Sequence, residues 1–268
     1  MGIYLSLKIF NFPDITTDGS YTLGAAITGI MLSHNLNFWL ALVVSFFGAA
    51  LAGSITGLIA TKLKVNSLLA GILVMTALYS VNISLMGRSN IPLTMGSTIF
   101  NALHFAGRYQ PVIILVLFIA IIWTLLSLLL KTDFGLAMRA TGSNEQMVRS
   151  MGVNTDTMKI IGLALANGLI GLSGFLISQF QGFVDINMGI GIIVTGLGSV
   201  LIGESLLDLF NVQSIAYRLL GVILGSVIFQ LLLALALDAG LDANLLKLFT
   251  AFLVLVVVSI PGIKYKIR

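Results

Sequence analysis

The chain has 268 residues, 58% of them hydrophobic and 9% charged, with a mean hydropathy of +1.08. A soluble domain carries roughly 25% charged residues, so ten acids and fourteen bases exclude a water-soluble fold, and the hydrophobicity excludes disorder. With no Cys, disulfides and thiolate metal sites are excluded. His34 and His104 are too far apart in sequence to suggest zinc, and no metal or cofactor site is expected in this chain.

An all-α polytopic membrane bundle remains, and its elements follow in chain order. Met1–Phe12 has neither a basic n-region nor a small-residue cleavage site, so it does not read as a secretory signal. At 1.5 Å per residue it covers about 18 Å, roughly half a bilayer. It reads as a half-helix or as the remainder of a longer start. In NFPDITTDGSYTLGAA, Asn11–Ala26, Pro13 removes a backbone donor, and Asp14, Thr16, Thr17, Asp18 and Gly19 interrupt an apolar region. Broken backbone at membrane depth is tolerated only where protein buries it or water reaches it. Intramembrane carboxylates point to a functional site, so Asp14, Thr17 and Asp18 become candidates for a substrate pathway. The competing reading makes Asp14 and Asp18 helix caps.

Ser20–Ser33 is short for a crossing. Phe38–Thr61, Ser67–Met86 and Pro111–Leu130 are membrane-length and too uniformly apolar for barrel strands. Residues 131–159 form a polar loop. Ile160–Gln181 follows, then the short Ile190–Gly203, then Arg218–Leu237 and Leu245–Ile260. Counting part-crossings, the chain crosses about nine times as a single membrane domain. Lys62, Lys64, Lys131, Arg139, Arg149, Lys159, Arg218, Lys264, Lys266 and Arg268 then share one side, against Arg88, Arg108 and Lys247 on the other. The first side is therefore expected in the cytoplasm together with the C-terminus. Positive charge that sets topology gives no support to nucleic-acid binding.

Phe12-Pro13-Asp14-Ile15 is echoed by Phe183-Val184-Asp185-Ile186, each followed by a Gly-rich short segment. Five crossings lie between them, so the echo implies inverted halves, about 1–130 and 160–268. Such paired breaks point to a transporter's substrate path. Asp185 joins the candidates, as do Gln179 and Gln181, which lead into the second break. Tyr79, Asn82, Asn167 and Ser173 are expected to be interhelical hydrogen-bond partners. Gly53/Gly57, Gly221/Gly225 and Gly168/Gly171/Gly174 have the spacing of close helix packing. Trp39 and Trp123 suit interfacial belts.

Within the polar loop, Ser143-Asn144-Glu145-Gln146 has the form of a capping box, with Ser143 as N-cap and Gln146 at N3. Gly152 stands where a helix end wants positive φ. The implied helix, Asn144–Met151, has two turns, too few for stability alone in water. Met147 and Met151 share a face with Val148 beside them, which calls for a covering surface, either a partner or the protein's own inner face.

The run TDFGLAMRATGSNEQMVRSMG, from Thr132 to Gly152, resembles the cytoplasmic signature of the branched-chain amino acid/ribose-type family of ABC transporter permeases. Gly135, Ala137, Arg139, Ala140 and Gly142 match its Gly-x-Ala-x-Arg-Ala-x-Gly-like stretch, and the small-residue face of the next helix is similar. NFPDITTDGSYTLGAA looks like the variant in permeases paired with tryptophan/tyrosine-type binding proteins.

The resemblance implies an importer subunit of the plasma membrane, embedded in lipid as a homodimer, in which a coupling helix (Ser143, Asn144, Glu145, Gln146, Met147, Val148, Met151, Gly152) docks on a separate ATPase subunit. ATP and Mg would belong to that partner, since no G-x-x-x-x-G-K-[ST] loop occurs here. An extracytoplasmic binding protein would deliver a small solute, an amino acid with the aromatic ones among the candidates, to the segment Gly87–Gln110 with Arg88 and Arg108. The competing class is an ion- or proton-coupled secondary transporter, which leaves the capped helix without a purpose. A membrane scaffold leaves the paired breaks unexplained, and no catalytic constellation suggests an enzyme.

Overall fold

The computed structural model describes residues 1–93, 98–102, 109–210, 212, 214–242 and 245–266. Arg108, His104 and Arg268 lie outside them. The fold is an all-α polytopic bundle that divides into two compact units, one formed by Gly2 and Tyr4–Ile190, the other by Gly191–Arg268 with Met1 and Ile3.

The first unit opens with α1 (Gly2–Tyr4), which runs into a π-helical turn, Leu5–Ile9, and then into non-helical backbone. Pro13 lies in that stretch, and Asn11 adopts a left-handed φ of 50°. The chain resumes as α2 (Thr16–Ser33), α3 (Phe38–Lys62), α4 (Ser67–Met86), the strand β1 (Asn90–Pro92), α5 (Ile99–Ala102) and α6 (Gln110–Leu129). Two helices of the polar loop follow, α7 (Asp133–Ser143) and α8 (Glu145–Ser150), then α9 (Thr155–Gln181) and β2 (Phe183–Asp185). The second unit holds α10 (Ile192–Leu209), α11 (Ile215–Asp238) and α12 (Leu246–Lys266).

Six of these helices, α3, α4, α6, α9, α10 and α11, are long and apolar enough to cross a membrane. Two segments read as short are longer than the sequence suggested. Helix α2 begins at Thr16 rather than Ser20, because Thr16, Thr17 and Asp18 are buried within the bundle rather than left as a polar loop. Helix α10 runs on through Glu204 and Asp208 to Leu209.

Helix α9 is the most buried of the membrane-length helices and forms the axis of the first unit, with α2 and α3 against it and α4 against α2 and α3. Small residues make this possible. A Cβ placed on Gly24 of α2 would stand 2.1 Å from the carbonyl oxygen of Gly171 in α9. Close backbone approach replaces the hydrophobic effect as the packing device where lipid surrounds the helices. Hydroxyls line the α2–α3 seam: Thr16 Oγ1 meets Thr56 Oγ1 at 2.7 Å, and Thr28 Oγ1 meets Ser45 Oγ at 3.2 Å. Since the overlapping atoms at Gly24 are backbone, Gly24→Ala is expected to destabilise the protein by about 1–3 kcal/mol, read as a lower melting temperature in detergent.

The Gly pair of the α7 stretch also marks contact rather than flexibility. A Cβ on Gly142 would overlap the Ile9 carbonyl oxygen, so α7 packs directly on the π-helical turn. In the second unit, α10 and α11 meet at Gly203, Gly221 and Gly225, again with backbone against backbone.

Strands β1 and β2 pair antiparallel, with Asn90 opposite Asp185 and Pro92 opposite Phe183. This pairing sits beyond the C-terminal ends of α4 and α9. The opposite end of the unit gathers the C-terminus of α3, the N-terminus of α9 and the helix α8, joined by ion pairs between Lys62, Asp156, Arg149 and Glu145. These are the sheet end and the basic end of the bundle.

Candidate functional site

Two constellations emerge, one at the helix break and one at the basic end. At the break, Asp14 is 1% exposed. Its Oδ1 accepts from the backbone N–H of Thr16 (2.9 Å), and its Oδ2 accepts from Nδ2 of Asn167 in α9 (2.6 Å). The Asn167 amide also donates to the Leu163 carbonyl at 3.0 Å, leaving its own Oδ1 buried without a partner. Thr17 is buried and its hydroxyl donates back to the Asp14 carbonyl, while Asp18 is buried in the first turn of α2. One carboxylate therefore fixes the start of α2 and ties it to α9. Acidic groups suit this position because the first amides of a helix lack acceptors. Asn82 of α4 completes the girdle, donating to the Gly19 carbonyl at 3.2 Å.

Asp185 lies elsewhere. It ends β2, where its Oδ1 accepts from the Asn187 N–H (2.8 Å) and its Oδ2 from Asn90 Nδ2 (3.4 Å). Asp14 and Asp185 thus make the same turn with the residue two ahead, but Asp14 sits beside the middle of α9 and Asp185 just past its C-terminal end. The 14 residues from Asn167 to Gln181 span about 21 Å of that axis. Gln179 is buried and braces α5: its Oε1 accepts from the Ile99 N–H (2.9 Å) and its amide donates to the Phe175 carbonyl. Gln181 is exposed at the last turn of α9. The six pathway candidates therefore form two separate groups. Of the expected interhelical partners, Asn82 and Asn167 make such bonds. Ser173 instead bonds within α9, and Tyr79 is 52% exposed on the outer surface.

The polar loop is more ordered than a capping motif requires. Ser143 is not the N-cap of α8. It is the last residue of α7, and Asn144, with φ −150° and ψ 94°, takes the role by accepting from the Met147 N–H at 3.0 Å. The box fails because the backbone at Ser143 is still helical, and an N-cap needs extended geometry. The helix is accordingly Glu145–Ser150, one residue shorter at each end than expected. Gly152 does adopt positive φ, 84°.

Helix α8 divides its residues cleanly. Val148 is buried, whereas Met147 and Met151 are 57% and 70% exposed. Glu145 turns inward as the centre of a clamp. Lys159 Nζ donates to its Oε2 at 2.5 Å, while Arg149 Nη2 and Thr155 Oγ1 donate to Oε1 at 3.3 and 3.2 Å. Arg149 also reaches Asp156 Oδ1 at 3.0 Å, and Asp156 pairs with Lys62 of α3 at 3.6 Å. Lys159, Thr155, Asp156 and Lys62 were not among the sequence candidates. Only the Glu145/Arg149 spacing of four, a favourable helix pair, hinted at the network.

The hydrogen bond from Lys159, ahead of the opposing cost of burial, holds the Glu145 carboxyl below its ordinary pKa of 4.5. A carboxylate with a depressed folded pKa contributes its stability above the unfolded value and loses it as pH falls through the folded one. A spin label at Met151→Cys is therefore expected to keep constant mobility from pH 7 down to 4.5 and to loosen only below it.

A polytopic bundle with a buried polar break, and a short clamped helix presenting two methionines outward, has the anatomy of a membrane transport permease. The family model described as "Branched-chain amino acid transport system / permease component" matches residues 1–259, and the chain belongs to this family. Among curated relatives, it is 38% identical over 268 residues to a tyrosine transport system permease protein of Clostridioides difficile, covering 100% of this chain and 88% of that one. It is 32% identical over 260 residues to the uncharacterized protein RP368 of Rickettsia prowazekii, covering 97% and 91%. A ribose import permease protein of Haemophilus influenzae is 24% identical over 222 residues, 80% of this chain and 66% of that one. No solved structure matches the chain significantly.

Proposed function

We propose that this chain is the membrane-spanning subunit of an ABC importer for an amino acid, with tyrosine or another aromatic amino acid as the first candidate. The observation that carries the proposal is the family match over residues 1–259, extended by 38% identity to a tyrosine transport system permease protein. The outward face of α8 supports it physically: two large apolar side chains held out by a salt-bridged, two-turn helix call for a protein surface to cover them. In this reading that surface is a separate ATPase subunit, which would hold the ATP and Mg. Closure of the ATPase pushes α8, and the Glu145 clamp passes the displacement to α9 and α3. The basic end then faces the cytoplasm, as its bases favour. An extracytoplasmic binding protein docks at the sheet end, and two copies of the chain form the pathway.

The break has a mechanical role here. Asp14 couples the start of α2 to α9, so that a shift of α9 is felt where α2 begins. The test is reconstitution in proteoliposomes with a cognate ATPase subunit and binding protein. ATP-dependent uptake of labelled tyrosine or another amino acid is the expected result. Uptake by this chain alone under an ion gradient would overturn the reading in favour of a secondary transporter.

A further inference from the structure

At the basic end, a cavity of about 370 Å³ opens between the helix break, the α3–α4 turn, α8 and the start of α9. This is the size of a small-molecule site, and its charges do not cancel. Among the lining residues, Lys64, Arg149 and Lys159 face Glu145 and Asp156, one positive charge in excess, and Lys62 just outside the lining shares Asp156. The surplus can be located. Arg149 and Lys159 are both spoken for by the clamp, whereas no carboxylate among the described residues pairs with Lys64.

Neutral donors stand beside it, the Asn11 amide and the Ser67 hydroxyl, with Val65 and the edges of the otherwise buried Phe10 and Phe12 as its apolar lining. The turn carrying Lys64 also presents Leu63, 70% exposed, at the end of a membrane-length helix. An apolar residue flanked by lysines at such a helix end belongs at headgroup level, where basic pockets between membrane helices hold lipid headgroups.

We infer that this cavity binds a phosphodiester monoanion, its charge answered by Lys64 and its apolar remainder leaving past Val65 towards the exposed Leu63. A phosphodiester carries the single negative charge that the lining leaves unanswered. A bound anion would tie the break to the α3–α4 turn beside the α8 clamp, so occupancy would stiffen the elements that couple α8 to the membrane helices. The inference is independent of which solute is transported.

Full-length protein in phosphatidylcholine nanodiscs doped with phosphatidylglycerol provides the test, with co-released lipid counted by native mass spectrometry. The wild type is expected to retain phosphatidylglycerol in preference to phosphatidylcholine. Lys64→Gln should weaken that retention about tenfold, as for loss of one charge-assisted hydrogen bond. Lys64→Arg should restore it, and Lys131→Gln, an exposed charge elsewhere on the chain, should leave it unchanged. Soluble glycerophosphoglycerol, added to phosphatidylcholine-only discs, separates the two sources. Binding that depends on Lys64 assigns the site to a free phosphodiester, and no binding beside retained phosphatidylglycerol assigns it to lipid. Equal retention by wild type and Lys64→Gln, or equal losses in Lys64→Gln and Lys131→Gln, would overturn the site. Equal melting temperatures in phosphatidylcholine-only discs show that Lys64→Gln remains folded.

Discussion

Asp14→Ala is expected to cost about 2–6 kcal/mol, because it strands two buried donors, the Thr16 N–H and the Asn167 amide, at about 1–3 kcal/mol each. Asp14→Asn should fall between this variant and the wild type. Its carbonyl oxygen can still accept from Thr16, and its new amide meets an Asn167 whose Oδ1 has no partner and can turn to accept. Melting of purified protein in detergent reads the order: wild type, Asn, then Ala. Transport separates the mechanical role from an ionic one. If Asp14 ties α2 to α9, uptake by Asp14→Asn follows its modest loss of stability. A variant that melts like the wild type yet transports nothing would mean that the negative charge itself works in transport, as an ion-coupled site requires.

The break was legible because Pro13, Asp14 and Gly19 are costly in an apolar segment, and cost is visible locally. Its partner was not. Asn167 stands 153 residues away, and only the crossing of α2 and α9, itself set by Gly24 against Gly171, brings it within 2.6 Å of Asp14. The second break shows the reverse problem. Phe183-Val184-Asp185-Ile186 reads as an echo of the first, and Asp185 does repeat the turn made by Asp14. Yet Phe183–Asp185 is a strand paired with Asn90–Pro92, and three-residue strands carry no period for a sequence to display. At α8, two adjacent residues each suit an N-cap, Ser143 by its capping box and Asn144 by its own preference. The choice between them rests on how far α7 continues, which depends on α7 packing through Gly142 onto the turn at Ile9. Local chemistry thus marked where something happens, while tertiary packing decided which residue does it.

That division between local and tertiary signals separates two kinds of defect in α8. Met147→Asp changes a side chain that is 57% exposed, so its effect on stability should stay within about 0.5 kcal/mol. It places a charge on the apolar face that, in the proposed importer, meets the ATPase. Co-purification of the ATPase is expected to be lost, and ATP-driven uptake to fall at least about tenfold, the cost of desolvating an unpaired charge in an interface. Glu145→Gln leaves that face intact and removes the carboxylate that gathers Lys159, Arg149 and Thr155. Its ATPase should still co-purify and hydrolyse ATP, but with less solute moved for each ATP hydrolysed, because α8 can now move without carrying α9. The ratio of uptake to hydrolysis therefore distinguishes the docking face from the clamp. Lys159→Gln should reproduce the Glu145→Gln ratio, and combining the two should add little, since both remove the same pair. Additive losses, or loss of ATPase binding by Glu145→Gln alone, would place Glu145 on the docking surface and remove the clamp from the mechanism.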